Sequence, residues 1–424
     1  MSQMTLFDID KKIANDNTTT FIDNMKLPIH RWFRYSAGFS GEWVKKVINE
    51  FSDKGSIIID PFAGSGTTLV ASNEMGRKSI GYESHYFVRR IAKTKLKYSV
   101  NTDKYLSIID SAISAPSNLF SYDEQPSLLQ KCYHSESLKE LVKFRDFYIN
   151  TSDISPEYEL FWLTLTSILR ITSHVGTAQW QYVLPNKSKK NSKTPTQALR
   201  DKANEIVQDI RFFNSKNVQE LGILLEQDAR DKNELYYDSF DLLITSPPYP
   251  NNYDYADSTR LEMLFWNEIT GWGDLQKKVR NNLVRSCSQH SAADKIPLNE
   301  ILGKSELQPI HSEIEKVCKE LEIVRQEHGG KKTYHTMIAS YYYDLARVFL
   351  SLRLSMKKNS VMCFVIGDSA PYGVYAPADE WLGELAIAAG FKSWEFEKTR
   401  DRNIKWKNRK HTVPLKEGRL WIKG

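Results

Sequence analysis

The sequence predicts an α/β protein built on a doubly wound, mostly parallel sheet interrupted by two inserted segments. Three observations carry this. Ser56-Ile57-Ile58-Ile59-Asp60 and Lys78-Ser79-Ile80-Gly81-Tyr82-Glu83 read as short buried strands, each followed by a helical pattern. The alternation resumes after a long helical stretch, at Leu221-Gly222-Ile223-Leu224-Leu225 and Phe240-Asp241-Leu242-Leu243-Ile244. A third region pairs an amphipathic helix over 342–356 with the apolar run Val361-Met362-Cys363-Phe364-Val365-Ile366-Gly367.

Taken in order, residues 1–20 are polar and read as a flexible arm. Ser40 is placed to cap a helix whose Trp43, Val44, Val47, Ile48 and Phe51 recur at helical spacing. Residues 67–75 read as the helix after the first strand, and a basic helix runs to about residue 98. The sheet core is assigned to 21–102 and 216–424. Residues 103–215 are a mostly helical insertion with an apolar stretch at Leu160, Phe161, Leu163, Leu165 and Leu169. A second, polar insertion covers 267–333 and reads as irregular. The helix over 342–356 buries Leu345, Val348, Phe349 and Leu352. Gly390 closes a helix over 381–389, and Arg419-Leu420-Trp421-Ile422 reads as the last strand.

With 424 residues, 41% hydrophobic and 12% aromatic, the chain can bury a large core, which excludes global disorder. No apolar run approaches the roughly 20 residues that span a bilayer. The N-terminus lacks the charged and apolar regions of a secretory signal. The four cysteines (Cys132, Cys287, Cys318, Cys363) form no CxxC pair, so neither a metal site nor a disulfide framework is expected, and a reducing cytoplasm is the expected compartment. The net charge of +6 is mild. Its placement matters more: Lys187-Ser188-Lys189-Lys190-Asn191-Ser192-Lys193 is a basic loop, and the strip 400–410 holds Arg400, Arg402, Lys405, Trp406, Lys407, Arg409 and Lys410. Such strips suit a phosphate backbone, and they also suit a solvated surface.

Two strings carry the chemistry. Asp60-Pro61-Phe62-Ala63-Gly64-Ser65-Gly66-Thr67-Thr68 ends a strand and opens a helix. Gly64 and Gly66 allow a tight turn and close backbone approach, and the helix start presents free N–H groups. Leu69 stands where the dinucleotide fingerprint has its third glycine, which favours a ligand without a pyrophosphate. Glu83 lies at the end of the next strand, roughly twenty residues on, where a carboxylate would meet ribose hydroxyls. The second string, Ser246-Pro247-Pro248-Tyr249, follows a buried strand. Ser246 Oγ and the Pro247 carbonyl can accept hydrogen bonds from an exocyclic amine, the double proline fixes the backbone, and Tyr249 offers a ring for a base to stack on.

Together these strings resemble the S-adenosylmethionine-dependent DNA amino-methyltransferases, and the serine form resembles the N4-cytosine branch. The resemblance covers residues 28–100 and 220–424 and implies a seven-stranded Rossmann-like methyltransferase sheet. It places Phe39, Ser40, Asp60, Pro61, Phe62, Ala63, Gly64, Ser65, Gly66, Thr67, Glu83 and Asp228 at the cofactor, with Phe39 and Ser40 beside the methionine end and Asp228 on the adenine amino group. Phe39 also fits a hydrophobic staple, and Asp228 a simple strand-end turn. Ser246, Pro247, Pro248 and Tyr249 take the catalytic role, and Arg400, Arg402, Lys405, Trp406 and Lys407 are the candidate DNA contacts. The resemblance also makes the 103–215 insertion the first candidate for target recognition and the 267–333 insertion a candidate DNA contact. No metal is implied. Relatives acting on adenine N6 usually carry Asp or Asn at the position of Ser246, and adenine N6 stays as the alternative target. The implied partner is double-stranded DNA with the target base flipped out of the stack. A bacterial or phage source and a cognate restriction endonuclease follow from the family. The rival of another class is a non-catalytic DNA-binding protein on a methyltransferase core. Oligomeric state is left open.

Overall fold

A computed structural model describes residues 22–117, 119–177, 183–189, 192–251, 254–329, 332–402 and 414–424, with the side chains of 292–294 excepted. The flexible arm assigned to residues 1–20 therefore lies outside the described residues.

The core begins with helix α1 (Gly41–Phe51), strand β1 (Ile57–Asp60), α2 (Thr67–Glu74), β2 (Lys78–Tyr82) and α3 (Tyr86–Lys95). Helices α4 (Thr102–Ser114), α5 (Ser127–Cys132), α6 (Ser135–Ile149) and α7 (Pro156–Thr172) follow. A hairpin of β3 (Val175–Thr177) and β4 (Val183–Ser188) and the long α8 (Pro195–Ser215) complete the first insertion. Strands β5 (Gly222–Leu225) and β6 (Phe240–Thr245) return to the sheet.

The expectation of an irregular segment over 267–333 does not hold. After α9 (Arg260–Phe265), that stretch folds into α10 (Trp272–Lys278), α11 (Ser288–Asp294), α12 (Leu298–Leu302) and α13 (His311–Glu327). Its signal was sparse: α13 is largely charged and buries only Ile314, Cys318 and Leu321, at one-turn spacing. Helix α14 (Tyr334–Ser355), β7 (Met356–Gly367), α15 (Ala378–Ala388), β8 (Ser393–Arg402) and β9 (Leu415–Lys423) complete the chain.

The main sheet has seven strands in the order β5-β2-β1-β6-β7-β9-β8. The pairs β5/β2, β2/β1, β1/β6 and β6/β7 are parallel, and β9 runs against both its neighbours. The strand order reverses between β1 and β6, so a crevice opens there above the C-terminal strand ends.

Both faces of the sheet are covered, which is why its strands read as continuous apolar runs. Ile58, Leu242, Ile244, Cys363 and Val365 face Trp43, Val44, Val47 and Ile48 of α1. Their alternates Ile59, Leu243, Met362, Phe364 and Ile366 face α13, α14 and α15. Each of the large α1 side chains buried in this way contributes roughly 1.5–3 kcal/mol. Helices of 103–215 pack into one apolar cluster with Leu69, Phe87 and Ile91 of the core. Among the described residues, no helix is long and apolar enough to cross a membrane.

Candidate active site

The crevice between β1 and β6 holds a pocket enclosing about 800 Å³ up to its open mouth. One wall is the loop from Pro61 to Thr67, between β1 and α2. Gly64 and Gly66 both sit at positive φ, +52° and +85°. A side chain at Gly64 would meet the ring of Tyr35 at 3.0 Å, and one at Gly66 would meet Ala92 at 3.3 Å. The two glycines therefore have different duties. Gly64 lines the pocket, whereas Gly66 lets α2 start against α3 and does not line it.

Glu83 faces the loop from the end of β2. Its Oε2 accepts from Gly64 N–H and its Oε1 from His85 N–H, both at 2.8 Å. Burial pushes its carboxyl up to about 7, against the two backbone donors. Each oxygen keeps a lone pair for a hydroxyl in the pocket. Behind the loop the buried Lys95 donates to the Ser65 carbonyl at 2.9 Å, and burial lowers its ammonium to about 7.

Across the mouth, Asp228 is held by Arg230, whose Nη2 lies 2.6 Å from Asp228 Oδ2. Arg230 also pairs with Asp344, which is fully buried and takes two hydrogen bonds from the Arg285 guanidinium. This cluster anchors α14 to the 282–285 segment, and Asn282, Leu283 and Val284 form that side of the pocket. The described lining contains two carboxylates, Glu83 and Asp228, several aromatic faces, and neither lysine nor arginine. Such a donor set suits a cationic, phosphate-free ligand with hydroxyls.

Ser246 lines the pocket from the end of β6, beside Pro248. Its Oγ donates to the Val365 carbonyl on β7 at 3.1 Å. With its proton committed there, the oxygen is left as an acceptor, and the Tyr249 side chain is its other hydrogen-bond neighbour. The backbone N–H of Tyr249 donates to the Tyr255 hydroxyl at 3.2 Å, and Tyr255 also lines the pocket. No cysteine is among the described lining residues.

Residues 10–94 match the family model described as DNA methylase, N6_N4_Mtase. The chain is 26% identical to Type II methyltransferase M.BsoBI of Geobacillus stearothermophilus, over 89% of this chain and 81% of that protein. It is 25% identical to M.AvaI of Nostoc sp., over 88% of this chain and 81% of that protein. A shorter stretch is 42% identical to M.MjaII of Methanocaldococcus jannaschii, over 17% of this chain and 14% of that protein. The family match at the cofactor-loop segment and the relatives over most of the chain together support the N6/N4 DNA methylase family.

The family uses S-adenosylmethionine as methyl donor, and the donor set of the pocket fits that cofactor. Of the methylase's expected cofactor residues, Phe39, Pro61, Phe62, Ala63, Gly64, Ser65, Thr67, Glu83 and Asp228 line one pocket. Ser40 does not. It is fully buried, and its Oγ caps α1 by accepting from Trp43 N–H at 3.4 Å. Asp60 stands behind the loop, where its Oδ1 accepts from Phe62 N–H and from the Thr245 hydroxyl. Pro247 and Tyr249 are not on the pocket wall either, because the double proline turns the chain past Ser246.

Of the basic strip, Arg400 and Arg402 belong to β8 and both pair with the buried Glu417 of β9, Arg400 half-exposed and Arg402 largely covered. Lys405, Trp406 and Lys407 lie outside the described residues, as do Lys190 and Asn191 of the basic loop.

Sequence reasoning missed Tyr35, Tyr82, His85, Tyr255 and the 282–284 segment as lining. It also missed Asn24, whose side chain donates to the Phe39 carbonyl and accepts from Gly41 N–H, both at 2.8 Å. Asp209 of α8 fixes the preceding turn. It accepts from the Ile29 N–H and the Trp32 indole at 3.0 Å, which holds Ile29 at a φ of 63° that a β-branched residue rarely adopts. Neither residue has a local sequence signal, since each acts over a long separation.

Proposed function

We propose that the methylase transfers the methyl group of S-adenosylmethionine to the N4 amino group of cytosine in double-stranded DNA. It would do so as the modification enzyme of a restriction–modification system. The choice of cytosine rests on the serine form of the motif at position 246, and the observation that supports attack by an exocyclic amine is the orientation of Ser246. Its hydroxyl proton goes to Val365, so its oxygen is left as an acceptor.

Cytosine N4 is a poor nucleophile because its lone pair is delocalised into the ring. An acceptor aimed at an amine hydrogen favours attack through that lone pair, and the Pro247 carbonyl is a second acceptor on the same turn. Glu83 would hold the ribose hydroxyls and Asp228 the adenine amino group, each as a carboxylate acceptor. S-adenosylmethionine supplies an electrophilic methyl on a sulfonium, so the protein's share is proximity and orientation. The N–C bond formed would be matched by the S–C bond broken, and the proton lost by the amine, held by Ser246 Oγ and the Pro247 carbonyl, would pass to solvent. No thiolate is needed, in keeping with a described pocket lining without cysteine. The target base must leave the helix stack to reach Ser246, at a cost of a few kcal/mol.

The helical segment 103–215 would read the recognition sequence. A Type II role is drawn from the names of the relatives over most of the chain. The test is to incubate the protein with DNA and methyl-labelled cofactor, digest to nucleosides, and identify the product by mass. N4-methylcytosine is expected. N6-methyladenine would reassign the target within the family, and no labelled nucleoside with cofactor bound would leave a non-catalytic binding protein.

A further inference from the structure

Arg402 begins on the outermost strand of the sheet, three strands from the Ser246 strand. Its side chain nevertheless reaches the catalytic loop. The guanidinium carbon lies 5.1 Å from the centre of the Tyr249 ring. Its Nη1 donates to the Asp368 carbonyl at 2.6 Å, and its Nε faces Glu417 Oε2 at 3.8 Å. The arm crosses the end of β7 at Gly367, where a Cβ would come within 2.7 Å of Arg402 Nη1. Only a residue without a side chain leaves that path open. Arg402 is largely covered, with 13% of its side chain exposed, which is unlike a phosphate-tracking surface arginine.

We propose that Arg402 is a positioning residue that clamps one face of Tyr249 and leaves the other for the target base. This rests on the methyl-transfer reading above. The ring is held twice: its backbone by Tyr255 and its face by a cation whose other donors are tied to Asp368 and Glu417. A guanidinium suits the task because its planar fork stacks and donates together. The C-terminal hairpin β8–β9 thereby takes part in holding the flipped base, although it contributes nothing to the described pocket wall.

The test uses the full chain with wild type, Arg402→Ala, Arg402→Lys and Gly367→Ala, each checked for folding by thermal melting and for cofactor affinity by calorimetry. Arg402→Ala should lower kcat on the order of ten- to a hundredfold through misplacement of the base. Cofactor affinity should stay within about twofold, since no contact to that wall changes. Arg402→Lys should recover part of the loss. Gly367→Ala should reproduce the defect with Arg402 still present, because its methyl group displaces the arm. The salt dependence of DNA binding should be unchanged in all three variants. Unchanged kcat in Arg402→Ala, with a salt slope shallower by about 0.9, would make Arg402 a phosphate contact and overturn the proposal. Normal kcat in Gly367→Ala would overturn it as well. Absence of methyl transfer by wild type would instead remove the underlying reading and the proposal with it.

Discussion

The hydroxyl of Thr245 donates to Asp60 Oδ1 at 2.5 Å, tying the last residue of β6 to the last residue of β1. The two strands lead into the Ser246 turn and the loop from Pro61 to Thr67, so this one bond fixes their relative height across the crevice. Both side chains are buried, and burial raises the Asp60 carboxyl to about 6.

Thr245→Val keeps the shape and removes the donor. The loss of a hydrogen bond to a buried carboxylate costs about 1–3 kcal/mol. Asp60 is ionised above its folded value of about 6, and the donor serves the charged form, so the destabilisation should be larger at pH 8 than at pH 5. Urea melts of both proteins at the two pH values check this. An equal loss at both would show that the bond does not serve the charged carboxylate.

Glu83→Gln should weaken S-adenosylmethionine binding by about 1.5–3 kcal/mol, the worth of a hydrogen bond to a charged group. The free carboxyl titrates near 7, and hydroxyl donors favour its ionised form. Wild-type affinity should therefore fall about tenfold per unit as pH drops below 7, while the Gln variant loses that component. Calorimetric titrations across this range compare the two. Parallel pH profiles would detach Glu83 from the ligand.

Ser246→Ala should lower kcat by the equivalent of about 1.5–3 kcal/mol with little change in cofactor affinity, because it removes an acceptor from the attacking amine. Tyr249→Ala should lose about 1–3 kcal/mol of base stacking, together with the misplacement that follows. Cys→Ser at each of Cys132, Cys287, Cys318 and Cys363 should leave methyl transfer intact. Single-turnover rates measure all six variants. A dead but folded Cys→Ser protein, or 5-methylcytosine among the products, would point to a covalent ring adduct and sink direct amine attack.

Asp344→Asn would leave Arg285 and Arg230 with reduced compensation in a buried cluster. Breaking such a pair costs roughly 3–5 kcal/mol. Since the same arginines brace Asp228 and the 282–284 wall, cofactor affinity should fall alongside stability. Denaturant midpoints and calorimetry on one preparation test the coupling. Lost stability with wild-type affinity would show that the wall stands without the cluster.

What the sequence determined by itself was local in origin. Asp60-Pro61-Phe62-Ala63-Gly64-Ser65-Gly66 spells out a turn whose glycines need positive φ, and Ser246-Pro247-Pro248-Tyr249 spells out a rigid strand exit, so both loops were legible. So was the parallel core, because strands covered on both faces read as continuous apolar runs. The antiparallel β8 went unread although Trp394, Phe396 and Lys398 alternate with Glu395 and Glu397. At the sheet edge it is only half covered, and its charged end resembles a solvated loop. Helix α13 went unread because only a narrow stripe of it is buried. Tertiary structure alone decided that Ser40 stands off the pocket wall, that Asp60 serves Thr245, and that Arg402 lies on Tyr249. In the last two the outcome depends on which neighbour a buried polar group finds, and the partner is more than a hundred residues away in sequence.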